Sequence, residues 1–329
     1  MKTWVTLLLL LAGSCLHSLA QTLKYSPERK FKIVQLTDIH YIYQDSRSEI
    51  SLQNIDEVIR TEQPQLIVLT GDVIYGKPAE ESLRTVLDKL SEYRIPFAVT
   101  FGNHDDEQGL SRKELLQILR QYPMNLTASD ETLPGVTNYV LPVAHSGNAQ
   151  PATVLYCFDS HSYSQIEGIG GYDYIKSEQI QWYKTTSRKF TQENQGSPLP
   201  SLAFFHIPLP EYHTAIQDES TSVIGTRKEP ACAPVLNSGL FTAMKEMNDI
   251  TGVFVGHDHD NDYAAYWQRI LLAYGRYSGG DTVYNNLPCG ARVIELTENQ
   301  SSFRTWIHQY DGSIQHVITV PDFFLKKKR

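Results

Sequence analysis

The sequence predicts an α/β domain, and three observations carry that expectation. Short runs rich in β-branched and aromatic residues alternate with segments of helical spacing through the first half of the chain. Those runs end abruptly in polar, ligand-capable residues. The 329 residues, 41% hydrophobic and 20% charged, suffice for a sizeable core, which excludes a disordered tail or a fibrous chain. A formal charge of -8 argues against nucleic-acid binding through a broad cationic field, and no obligatory nucleic-acid partner is expected.

The elements follow in order. Lys2, the apolar run VTLLLLLAG and the small-residue ending Ser18 to Ala20 make residues 1–20 a secretory signal pattern, too short in its apolar part to span a bilayer. Export to an extracellular or periplasmic space is therefore expected, with no retained transmembrane segment. Removal of Lys2 with this segment leaves 309 residues at a net charge of -9. Residues 31–40 read as a strand ending in polar residues, 52–60 as a helix and 65–72 as a second strand, which is a βαβ beginning. A helix over 79–91 and a strand within 96–106 repeat the arrangement, and 111–122 suggests another helix. Strands are expected at 137–143 and 152–158, a helix over 174–190 with Ile175, Gln179 and Trp182 on its packing face, and a strand at the start of SLAFFHIP. After a long loop at 209–236 come the helix SGLFTAMKEMN, the strands opening TGVFVGHDHD and RILLAYGRYSGG, and the closing strands ARVIELTE, SFRTWIHQY and SIQHVITV. No repeat of 20–50 residues and no compositional break divides residues 21–329, so one domain is expected.

Ligand-capable residues gather where this reading places loops after strands: Asp38 and His40, Asp72, Asn103 and His104, His206, then His257 and His259. Residues at successive strand ends can converge although they lie more than 200 positions apart. Carboxylate, imidazole and amide oxygen suit zinc, manganese or iron, and a carboxylate such as Asp72 can bridge two of them.

Five blocks in this order, TDIH at 37–40, GDVIY at 71–75, GNHDD at 102–106, FFHIP at 204–208 and GHDHDND at 256–262, resemble the calcineurin-like metallophosphoesterase superfamily, and within it the branch related to purple acid phosphatases. The resemblance implies a four-layer αββα sandwich with two packed mixed β-sheets, and the strand pattern alone does not derive the second sheet. It implies a catalytic domain holding two divalent or mixed-valence transition-metal ions: one on Asp38, His40, Asp72 and His259, the other on Asp72, Asn103, His206 and His257. Iron, zinc and manganese are not distinguished. The implied reaction is hydrolysis of a small-molecule or other phosphorylated substrate, a phosphomonoester, by a metal-bridging hydroxide, with His104 assisting the leaving group. A phosphodiesterase with the same centre and a noncatalytic phosphate-binding protein are the alternatives. The branch has glycine where His40 stands and uses the tyrosine matching Tyr75 as a ligand, whereas the wider DxH pattern favours His40.

Three further residues are substrate-binding candidates: His213, which otherwise faces solvent, and Tyr274 with Arg276, which otherwise pack near a turn. Asp260, Asn261 and Asp262 either orient the neighbouring histidines or cap a polar loop. Cys157 reads as a buried thiol, and Cys232 and Cys289, both in Pro- and Gly-containing loops, are candidates for one disulfide. Asn125 begins an N-glycosylation acceptor sequence, and the terminal KKKR reads as a solvated tail. The oligomeric state is left open.

Overall fold

A computed structural model describes residues 22–326. The expected signal at 1–20 and the last residues of the KKKR run lie outside the described residues. The first half is built from β1 (Lys30–Leu36), α1 (Glu49–Glu62), β2 (Leu66–Thr70), α2 (Ala79–Ser91), β3 (Phe97–Thr100) and α3 (Arg112–Leu119). Strands β1, β2 and β3 run parallel. Both faces of these strands are covered, so their side chains alternate between two apolar environments. Ile33, Leu66, Val68 and Ala98 enter the core between the sheets, whereas Val34, Leu36, Ile67, Leu69 and Val99 pack under the helices. On the helices the matching residues recur at three- and four-residue spacing: Ile55, Val58 and Ile59 on α1, and Leu83, Val86, Leu87 and Leu90 on α2. Helix α3 starts at Ser111, whose side chain accepts from the Glu114 amide while the Glu114 carboxylate accepts from the Ser111 amide.

The second half contributes β4 (Tyr139–Ala144), β5 (Pro151–Cys157), α4 (Ser177–Glu193), β6 (Ser201–Phe204), α5 (Glu211–Gln217), β7 (Ser222–Ile224), α6 (Leu240–Met247), β8 (Ile250–Val255), β9 (Ala264–Trp267) and β10 (Ile270–Tyr274). The chain then returns through β11 (Gly290–Thr297), β12 (Phe303–Gln309), β13 (Ile314–Val320) and α7 (Asp322–Lys326). One sheet has the order β13-β12-β11-β1-β2-β3 and the other β4-β5-β6-β8-β10-β9-β7, each mixing parallel and antiparallel pairs. Three apolar clusters separate four layers: α1 to α3 on the first sheet, sheet on sheet through Phe31, Phe204, Phe254, Leu271 and Ile294, and α4 to α6 on the second sheet around Tyr156, Tyr183 and Val253. The expected αββα sandwich with two mixed sheets is the observed one.

Two elements break the expected long loop at 209–236. Helix α5 buries Tyr212 and Ala215 over only seven residues, and β7 pairs three residues with β9, lengths too short to show a period. No helix among the described residues is long and apolar enough to cross a membrane.

Candidate metal centre

The parallel strands β1, β2, β3, β6 and β8 end at one edge of the sandwich, and the polar residues that follow them lie there together. The local backbone is unusual. Asp38, His40, Asp72 and His257 have φ of 52°, 48°, 50° and 80°, left-handed values that cost non-glycine residues strain and cluster at functional sites. Two glycines permit the approach. A Cβ on Gly102 would stand 2.1 Å from Asp72 Oδ1, and one on Gly256 would stand 1.9 Å from Thr37 Oγ1 and 2.7 Å from Asp38 Oδ2.

Around His206 the donor atoms are packed as ligands of one ion would be. Its Nδ1 lies 2.8 Å from the Thr70 carbonyl oxygen and donates to it, which makes Nε2 the lone-pair nitrogen of the neutral ring. That lone pair nevertheless faces Asp72 Oδ2 at 3.2 Å, Asn103 Oδ1 at 3.2 Å and His257 Nδ1 at 3.2 Å. A proton on Nε2 satisfies one of these directions, whereas a cation satisfies all of them. Atoms about 2.1 Å from a common ion at angles near 100° are about 3.2 Å apart, the spacing found here. His40 Nε2 stands 3.4 Å from the other side of the same carboxylate atom, Asp72 Oδ2, and both His40 ring nitrogens are buried without a hydrogen-bond partner. His259 donates through Nδ1 to the Tyr284 carbonyl at 2.8 Å, which turns Nε2 toward Asp38 Oδ1 at 3.8 Å. Asp38, His40 and His259 thus form one group able to hold a metal, Asp72, His206 and His257 a second, and His40, Asp72 and His104 connect them. The residues fit a pair of ions.

Electrostatics agrees with that fit. Burial opposes charge on His206, yet the carboxylates of Asp72 and Asp38 override it and push the ring up to about 9. Burial also works against ionised Asp72, and His206 and His40 hold it well below the usual carboxylate range. His257 and His259, desolvated and crowded by other imidazoles, are shifted down. The carboxylates thus draw positive charge to this edge, and His257 and His259 are held as neutral lone-pair donors beside them, as a cation site requires.

A model of the calcineurin-like phosphoesterase family matches residues 31–261, a span that takes in every strand end just described. The chain belongs to the calcineurin-like phosphoesterase family. Among its curated relatives is the "Probable inactive purple acid phosphatase 29" of Arabidopsis thaliana, 32% identical over 90% of this chain and 85% of that protein. "Phosphatase DCR2" of Saccharomyces cerevisiae is 34% identical over 87% of this chain and 55% of its own length. A dimetal phosphatase from Danio rerio superposes with a TM-score of 0.62 at 14% identity, covering 88% of this chain and 98% of that one, which establishes a shared fold.

Within this calcineurin-like site, His104 is partly exposed at the rim; its amide donates to Asp72 Oδ1 at 2.8 Å and its Nδ1 meets Glu107 Oε2 at 2.5 Å. Tyr75 packs edge-on to both His40 and His104, with ring centroids 5.1 and 5.0 Å away. Other expectations need correction. Arg276 is 1% exposed and paired with Asp262, and Tyr274 is 0% exposed with its hydroxyl donating to Asp258 at 2.6 Å, so neither reaches a substrate. They brace the loop that carries His257 and His259. His213 lies on the exposed face of α5 against Gln217. Cys232 and Cys289 are both free: the Cys232 amide is held by the Asp258 carboxylate on the histidine loop, whereas Cys289 is buried at the entry to β11 near Arg276. Of the polar trio, Asp260 accepts from the Asn286 amide, Asn261 from the Lys228 and Glu229 amides, and Asp262 from the Thr226 amide, which makes them loop ties.

Sequence reasoning missed Asp105. It is 1% exposed and accepts four backbone N–H groups, those of Val73 and Ile74 on Oδ1 and of Asp72 and Gly102 on Oδ2, at 2.8 to 3.2 Å. One carboxylate thereby clamps the loops that carry Asp72 and Asn103. Burial and the Asp72 charge push it up to about 6. Its place two residues after Asn103 in GNHDD was the available signal.

Proposed function

We propose that this chain is a metal-dependent phosphatase that hydrolyses a phosphomonoester. The observation that carries the reading is the convergence of Asp38, His40, Asp72, Asn103, His206, His257 and His259, with His104 at the rim beside Asp72. Asp38, His40, Asp72 and His259 would hold one metal and Asp72, Asn103, His206 and His257 the other, with Tyr75 packing on His40 rather than ligating. When bound, the two ions supply positive charge for phosphate oxygens and acidify a water. Asp72 Oδ2, 3.4 Å from His40 Nε2 and 3.2 Å from His206 Nε2, would serve both groups. Glu107 accepts from His104 Nδ1–H, which orients the ring so that, when Nε2 also carries a proton, Nε2 gives it to the leaving oxygen as the P–O bond breaks and the ring is left neutral. The Thr70 and Tyr284 carbonyls lock the His206 and His259 tautomers. An exported location follows the sequence pattern at residues 1–20.

The Arabidopsis relative carries the word "inactive" in its name, so the decisive test is turnover on this chain. Metal-depleted protein, reloaded with manganese, zinc or iron, is assayed on matched phosphomonoesters and phosphodiesters. Monoester hydrolysis that chelation abolishes and metal restores supports the reading, and hydrolysis of diesters alone sinks it. Phosphate binding with no metal-restored turnover would establish the noncatalytic alternative. His104→Ala is expected to keep both metals while slowing hydrolysis by about 10²–10⁴.

A further inference from the structure

Two fixed aromatic faces flank the donor cluster, and hydrolysis as described makes no use of them. Tyr284 is 57% exposed, and its ring lies nearly parallel to His259, with centroids 4.5 Å apart at 26°. Its hydroxyl donates to Glu229 Oε2 at 3.0 Å and its carbonyl accepts from His259 Nδ1, so the ring is held from both ends. On the His257 side, Tyr172 stands edge-on to that imidazole at 4.2 Å and stacks on Tyr163 at 5.8 Å and 24°. Tyr163 is 40% exposed, and its hydroxyl donates to Glu107 Oε1 at 2.9 Å. Scattered exposed apolar residues need no explanation. Here, however, two of the three aromatic side chains that stand out as exposed among the described residues, Tyr163 and Tyr284 but not Tyr43, lie against this one cluster. Rings held still lose little freedom when a second ring stacks on them.

We propose that Tyr284 selects phosphomonoesters whose alcohol carries a planar ring set off from phosphorus by a sugar-sized spacer, the chemistry of a nucleoside 5′-monophosphate. The inference rests on the phosphomonoesterase reading above. The spacer follows from the stacking order. His259 covers one face of Tyr284, so a substrate ring takes the outer face, about 9 Å from the His259 ring if it stacks at a comparable separation. A ring joined to phosphorus through a single oxygen falls short of that position while its phosphate is at the donors. A ribose spans the gap.

The test is calorimetric titration of the manganese-loaded full chain with adenosine 5′-monophosphate, ribose 5-phosphate and phenyl phosphate, with turnover recorded separately. The first two share phosphate, ester oxygen and sugar and differ by the base. Adenosine 5′-monophosphate is expected to bind about tenfold more tightly than ribose 5-phosphate, as one aromatic stack allows. Phenyl phosphate is expected to resemble ribose 5-phosphate. Tyr284→Leu, which keeps the backbone carbonyl that His259 needs, is expected to erase most of the advantage, and Tyr284→Phe to retain it. Equal affinity for the first two ligands, no binding of either, an advantage unchanged in Tyr284→Leu, or equal loss in Tyr284→Phe overturns the proposal. Phenyl phosphate binding as tightly as adenosine 5′-monophosphate overturns the spacer. If the binding preference holds but neither phosphate ester is hydrolysed, the phosphatase reading fails and the ring-binding face stands.

Discussion

Asp105→Asn isolates the clamp beneath the metal centre from the centre itself. At pH 8, above its shifted value of about 6, the Asp105 carboxylate is ionised and accepts two backbone N–H groups on each oxygen. Asparagine presents one oxygen and one NH₂. If the oxygen faces Val73 and Ile74, the NH₂ opposes the amides of Asp72 and Gly102; if the amide flips, the pairs exchange roles. Either way two buried donors lose their acceptor. At about 1–3 kcal/mol for each orphaned donor, the expected loss of stability is about 2–6 kcal/mol, and Asp105→Ala, which orphans four, should cost more. Equilibrium urea unfolding at pH 8, followed by far-UV circular dichroism, measures the difference. Because the same loops carry Asp72 and Asn103, metal affinity should fall with stability. A loss below about 1 kcal/mol together with unchanged metal affinity would refute the clamp argument.

Removing metal should lower stability as well: a site saturated at 100 times its dissociation constant adds about 2.7 kcal/mol, so chelation should lower the thermal midpoint and manganese or zinc should restore it, an effect absent in Asp72→Asn. Gly256→Ala places a methyl group against Thr37 Oγ1 and Asp38 Oδ2 and should cost about 1–3 kcal/mol in urea unfolding, with loss of metal, whereas a silent substitution would show that the histidine loop yields freely. Far from the site, burial opposes charge on Glu62, but hydrogen bonds from His308, Trp306 and Lys32 hold its carboxyl near 2, below the ordinary 4.5. Its contribution, about 3 kcal/mol, is full above pH 4.5 and lost as pH falls toward 2, so the stability gap between the parent chain and Glu62→Gln should narrow between pH 7 and pH 3; a constant gap would contradict the assignment.

What was legible in the sequence and what was not divide along a physical line. Strand ends of β1, β2, β3, β6 and β8 could be read because a short apolar run stopping at a polar residue is a local signal, and it located the residues of both donor groups. The second sheet could not, because β7 and β9 are three and four residues long and β6 finds β8 some 50 positions away. Arg276 misled for a related reason. An arginine between Gly275 and Tyr277 in a turn-like stretch reads as an exposed cation until Asp262, which pairs with it, is placed beside it by the fold. Asp105 shows both sides in one residue: its bond to Gly102 is local, but three of its four donors, Asp72, Val73 and Ile74, come from a loop 31 to 33 residues earlier. Tyr284 lies in a segment without period or motif, and only the placement of His259 under its ring gives its exposure a meaning. Donor identity is thus written in short motifs, whereas the residues that hold the donors in position and face the substrate acquire their roles only when distant loops meet. Substitutions at Asp105 and Tyr284 therefore probe the part of the site that motif matching leaves undetermined.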